Sequence, residues 1–548
     1  MSTVDSNKSF KTYVNEYSDW NSQNQLKSAK KQEYLLRHPN AIGNYDIKRS
    51  LLLLNAVDIM DKSVSKNSNN VDTAFESVVD VGLGYAAVGG TTLGIILSNL
   101  GFVKKLIDKI TKNNPKTKNI VSMAITATSG ALGILAAYPL YSFVTKIESK
   151  IQRKRKFETM ENELNDPKLF VVLNEEQDKI FRENINNSEK NKKEFFPKKV
   201  IKKNYKYFKE IAIEAMHYDK RQNEFKKKYE DDISLYNKAL TDEKIKDAKR
   251  DRALLTNLIK NINRKAQSYE EKMQRITDNM ITMSFALGSL FTLLYEQMTK
   301  FLNVKSSALP AGMNIFLIIG STFFATWAQK RAAHIGRFKA KQELIKDPGQ
   351  LIYISSSDIN TIKDDEVTLP LDKSKKTDNN LTFLKDFFKY NKEYKKWKHS
   401  DSITGQDISK ALENIEISDK QITDAKRLQR NLFKTFYKVD KNTQNYSGKI
   451  EVFSESIKFP ITLILGTIGS VWGMKHIANL RKSLLPKEAL KHTAKYIATI
   501  SLFTLPSLIV NSYFAKAQKI GARVSDMLTM KDLEDYRFFA DYTDATDS

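Results

Sequence analysis

The chain has 548 residues, 41% of them apolar, no cysteine and a formal charge of +25. The missing thiols exclude disulfides, thiolate metal sites and cysteine nucleophiles. The positive charge favours an anionic partner, with lipid headgroups ahead of nucleic acid, because no zinc spacing, aromatic-basic strand or isolated basic tail accompanies the lysines.

Residues 1–44 read as a polar N-terminal segment without a basic stretch leading into an apolar one, so no cleaved leader is expected. Residues 45–173 read as a first unit. It opens with Asp46, Lys48 and Arg49 at the start of a helix and then carries two uncharged runs, Val81–Val103 and Asn119–Thr145. A helix needs about 20 residues to cross a hydrocarbon core, and charge is costly there. The runs therefore predict a transmembrane hairpin over 81–145. Ala86, Gly90 and Gly94 recur at four-residue spacing, which in lipid lets helix backbones approach closely. The unit closes on a basic amphipathic stretch, and its Arg153, Lys154, Arg155 and Lys156 are expected to contact lipid headgroups.

Residues 174–240 read as a helical insertion rich in Lys, Glu, Tyr and Phe. A second unit follows at 241–354. It opens with Asp247, Lys249 and Arg250 and carries uncharged runs at Asn279–Tyr295 and Ser306–Gln329, a predicted hairpin over 279–329. From Asp242 the helical pattern continues to Leu302, which at 1.5 Å per residue makes a helix of order 90 Å. Downstream, Lys330, Arg331 and Arg337 are again expected at headgroups. Residues 355–412 read as a linker, centred on Ser355–Asn380, and a further helical insertion.

The third unit, 413–540, opens with Asp424, Lys426 and Arg427 and carries the runs Phe459–Met474 and Tyr496–Ala515, a predicted hairpin over 459–515. Gly466, Gly469 and Gly473 supply its close-packing face. Residues 541–548 form a tail. The copies align downstream as well, since Lys156, Phe157, Asp166 and Pro167 fall on Arg337, Phe338, Asp347 and Pro348. In the third copy Asp532 takes the aspartate's place and Leu533 that of the proline, so three degenerate repeats are expected.

The fold class implied is an all-α polytopic membrane protein: six transmembrane helices in three hairpins, with long amphipathic, coiled-coil-like helices outside the bilayer. An even number of crossings places termini and insertions on one side, and the basic clusters favour the cytoplasmic side. The six histidines are scattered, and nucleophile elbows, phosphate-binding loops and kinase signatures are missing. No enzyme, metal or cofactor is expected. The leading expectation is a non-enzymatic membrane scaffold or assembly component that binds anionic lipids and, through its helical insertions, itself or a protein partner. The alternatives are a channel or transporter with a pathway between the hairpins and, behind it, a viral or phage injection component.

Overall fold

The computed structural model describes residues 9–62, 100–112, 150–189, 240–302, 308–367, 380–399, 404–447 and 486–540, with isolated positions elsewhere; over 278–302 and 308–323 it describes the backbone course alone. All regular structure among these residues is helical. The helices used below are α1 (Phe10–Arg37), α2 (44–62), α3 (Gly101–Ile110), α4 (150–162), α5 (Glu175–Glu189), α6 (Asp242–Leu302), α7 (Ala308–Lys346), α8 (Asn380–His399), α9 (Gly405–Leu412), α10 (Asp419–Asn442) and α11 (Pro486–Asp532).

Local chemistry sets several of their ends. Ser418 and Thr404 start α10 and α9 with reciprocal capping boxes to Gln421 and Asp407. Asp242 and Glu243 lie in the first turn of α6, where the helix dipole favours carboxylates. A single glycine, Gly288, and no proline occur in the 61 residues of α6, so nothing breaks it before Leu302. Helix α7 ends at Lys346 because Pro348 disfavours helical geometry at Asp347.

Each repeat contributes a leading helix (α2, α6, α10) and a trailing helix (α4, α7, α11) followed by a one-turn 3-10 helix. The trailing helix also engages the leading helix of the preceding copy. Lys341 of α7 pairs with Asp58 of α2 at 2.7 Å. Asp526 of α11 accepts from Gln267 of α6 at 2.8 Å and from Asn263 at 3.2 Å. Arg153 of α4 reaches Asp440 of α10 at 2.5 Å, closing the cycle from the first copy to the third. A shared core fills the centre, with Leu53, Phe157, Leu255, Leu344, Leu432 and Phe539 drawn from all three copies.

The membrane reading requires correction. No helix among the described residues is both long and apolar enough to cross a membrane, so six crossings and a multi-pass location are not supported. An uncharged helical run has two possible homes, lipid or the inside of a helical core. Where side chains of these runs are described, they divide: Ala325 and Ala328, in the run Ser306–Gln329, and Ala515, in Tyr496–Ala515, are buried by protein, whereas Phe324, Leu502, Ile509 and Tyr513 are exposed. Of the remaining runs, residues 81–99 and 459–474 lie outside the described residues, as do Ala86, Gly90, Gly94, Gly466, Gly469 and Gly473.

The insertions dock on the fold. Helix α8 lays Phe383, Phe387 and Tyr394 against Tyr269 of α6 and Ile335 and Phe338 of α7. Helices α5 and α9 meet through Asn184, which donates to the Ala411 carbonyl at 3.0 Å. Part of the expected linker is also ordered: Ile362 and Val367 pack on Ala29 of α1.

Candidate functional site

The three Asp-x-Lys-Arg motifs, far apart in sequence, converge in one place. Each lies near the start of a leading helix, and the cyclic packing brings those starts together. Arg250 reaches back to Asp46 of the first copy at 3.4 Å, and Arg427 reaches back to Asp247 of the second at 3.2 Å. Each also holds its own motif aspartate, Asp247 at 3.9 Å and Asp424 at 3.1 Å. Arg49, the remaining member of the cycle, turns to Asp251.

Asp251 breaks the threefold pattern. Four residues after the motif aspartate the other copies carry Ser50 and Leu428, so only the second repeat places a carboxylate there. Asp251 is fully buried and accepts from Arg49, from Arg427 at 3.4 Å and from Asn431 at 2.8 Å. Asn431 also donates to the Phe539 carbonyl at 2.9 Å, tying the turn after the third trailing helix to the hub. Burial pulls the Arg49 guanidinium below its ordinary range, with Tyr45 and Asp247 opposing the shift. Burial likewise raises the Tyr45 phenol, which keeps its proton at neutral pH.

Three arginines face four aspartates here, Asp46, Asp247, Asp251 and Asp424, so the hub carries one net negative charge, four minus three. Its chemistry is that of a lock: guanidinium groups and an amide saturate the central carboxylate. The motif lysines take other roles. Lys48 donates to the Leu173 carbonyl at 2.9 Å, Lys249 lies over the Tyr536 ring at 5.1 Å, and Lys426 is exposed.

The basic residues expected at lipid headgroups largely face protein groups. Arg153 pairs with Asp440, Lys154 sits 3.4 Å from Glu158, and Lys156 lies over the Phe436 ring. Arg331 donates to Asn391 Oδ1 at 2.7 Å and covers the Tyr394 ring, while Arg337 is 3.8 Å from Asp61. Arg155 and Lys330 are half-buried. Burial would raise the Asp61 carboxyl, but Lys341, Arg337 and Lys156 outweigh it and hold the group below its ordinary value. His334, on the same helix as Lys341 and Arg337, is pushed down to about 3 by burial and by Arg337.

Motif spacing missed the groups that complete these networks, chiefly Asp58, Asp61, Asp251, Asn431 and Asp440, because each occurs in one copy only. Among the described residues no group of His, Asp or Glu side chains is arranged to hold a metal ion. Compared with protein-family models, curated proteins and solved structures, the chain finds no match in any of the three.

Proposed function

We propose that the protein is a non-enzymatic scaffold, a closed ring of three helical repeats that holds its outer helices in fixed positions for assembly with partner proteins or further copies of itself. The observation that supports this reading is the hub. At the point where all three repeats meet, where an active site would need an open, reactive cleft, the chain places a lattice of interlocked arginines and aspartates centred on the buried Arg49, Asp251 and Arg427. Buried ion pairs rarely repay their desolvation in stability, and their best-attested use is to fix register. A register device suits a body whose task is to present surfaces in a set geometry.

Light scattering on the purified full chain, followed by cross-linking and mass spectrometry on the chain recovered from its source, tests the proposal. A discrete oligomer or a stoichiometric protein partner is the expected result. A chain that stays monomeric at every concentration and captures no protein overturns it.

A further inference from the structure

Helix α3 presents an apolar ridge to solvent. Phe102, Leu106 and Ile110 are 72%, 57% and 64% exposed and lie four residues apart, on one stripe of the helix. The opposite side carries the buried residues Ile107 and Thr111. Helix α3 therefore buries one face and offers the other outward. Thr111 anchors the last turn by donating to the Ile107 carbonyl at 2.7 Å, and Lys112, with φ of 49°, ends the helix.

Charge identifies what the ridge meets. Lys105 and Lys109 flank the stripe on one side, and both are exposed, as are Lys104 and Lys112. Residues 100–118 contain six lysines and one acid, Asp108, a local charge of +5 by six minus one. Asp108 is occupied by an ion pair with Lys118, so it leaves the lysines beside the ridge unopposed. An apolar stripe bordered by lysines complements a surface that is apolar beneath and anionic above. A protein groove complementary to this face would need carboxylates around an apolar floor, whereas an anionic lipid leaflet supplies both layers everywhere.

We infer that α3 is a lipid-contact element that lies along an anionic leaflet with Phe102, Leu106 and Ile110 sunk between the acyl chains and Lys105 and Lys109 at the phosphates. This contact is separate from the scaffold reading, and it holds whether the chain is one copy or many. It demands no crossing of the bilayer, since ten residues at 1.5 Å span only about half of a hydrocarbon core about 30 Å thick.

The test is co-sedimentation of the purified full chain with vesicles of phosphatidylcholine alone or mixed three to one with phosphatidylglycerol. The variants are Phe102→Ser/Leu106→Ser/Ile110→Ser and, separately, Lys105→Glu/Lys109→Glu. Both alter exposed side chains, and unchanged circular dichroism and melting establish that they fold. The expected result is binding to the anionic vesicles that falls about tenfold or more in each variant. Salt at about 0.5 M should weaken the parent chain, because the phosphate contacts are screened. Undiminished binding by the triple serine variant overturns the inference. So does a triple variant that binds vesicles normally but loses a dimer or a protein partner, which would assign the ridge to protein.

Discussion

Arg49 and Asp251, separated by 202 residues in the chain, meet as an ion pair with side chains 2% and 0% exposed. The contact joins the first and second repeats, and Arg427 and Asn431 join the third to the same carboxylate. Removing that carboxylate leaves two guanidinium groups without their shared acceptor. Asp251→Ala is expected to lower unfolding stability by roughly 3–5 kcal/mol in a urea titration. Arg49→Met/Asp251→Leu, which removes both charges of the pair, should cost less than that single change. A loss under about 1 kcal/mol for Asp251→Ala would mean that the hub does not hold the ring.

Asp526 supplies a pH dependence of opposite sense to the usual carboxylate. Burial raises its carboxyl to about 6, against the hydrogen bonds from Gln267 and Asn263 and the charge of Arg523. Between about pH 4 and pH 6 the unfolded chain has released this proton while the folded chain still holds it. The contribution of Asp526 to stability is therefore greatest in acid, falls across that window by up to roughly 3 kcal/mol, and is flat above it. Asp526→Asn should remove this fall and stabilise the protein at pH 7. Gln267 Oε1 is buried without a hydrogen-bond partner among the described residues and could accept from the new amide. Melting curves of parent and variant from pH 4 to pH 8 decide it, and parallel profiles would refute the assignment.

Three glycines rank by what a methyl group would meet. At Gly405 a Cβ would lie 1.8 Å from the Glu163 carbonyl oxygen, at Gly336 it would lie 2.8 Å from backbone atoms of Ala266 and Lys265, and at Gly521 it would lie 2.9 Å from the tip of Ile450. Backbone cannot step aside, but an isoleucine side chain can rotate. Gly405→Ala should be the most disruptive, Gly336→Ala should cost roughly 2–3 kcal/mol, and Gly521→Ala should stay near about 1 kcal/mol. Denaturant midpoints would give the order directly.

The starts of the leading helices were legible in the residues, and the register after the trailing helices only partly so. Asp46, Asp247 and Asp424 announce three leading helices, and the breaker-free pattern from Asp242 runs to Leu302 as α6. Counting residues after the third trailing helix, however, pairs Asp532 with Asp166 and Asp347. In space it is Asp535 that starts the 3-10 turn, accepting from the Arg537 amide as Asp166 accepts from the Lys168 amide. Asp532 instead accepts from Asn442 at 2.8 Å. Tyr536 replaces the proline of the other copies and hides the signal, since the chain shows no Asp-Pro there. Apolar runs misled for a different reason: hydropathy alone does not say whether lipid or another helix will cover them.

Asp535→Ala should accordingly cost about 1 kcal/mol, the worth of a helix-starting cap. Hydrogen exchange at Arg537 and Phe538 would rise in the same variant. If Asp532→Ala frees those amides and Asp535→Ala does not, the register by counting is correct.

The cyclic seating of the helices also governs how the chain comes into being. In a linear stack of repeats each unit can settle on the one made just before it. Here α4 must wait for α10, which is synthesised some hundreds of residues later, and the Asn431 bond to the Phe539 carbonyl is made later still. Emerging from a ribosome at about 5–20 residues per second, the first repeat spends tens of seconds with its binding face uncovered.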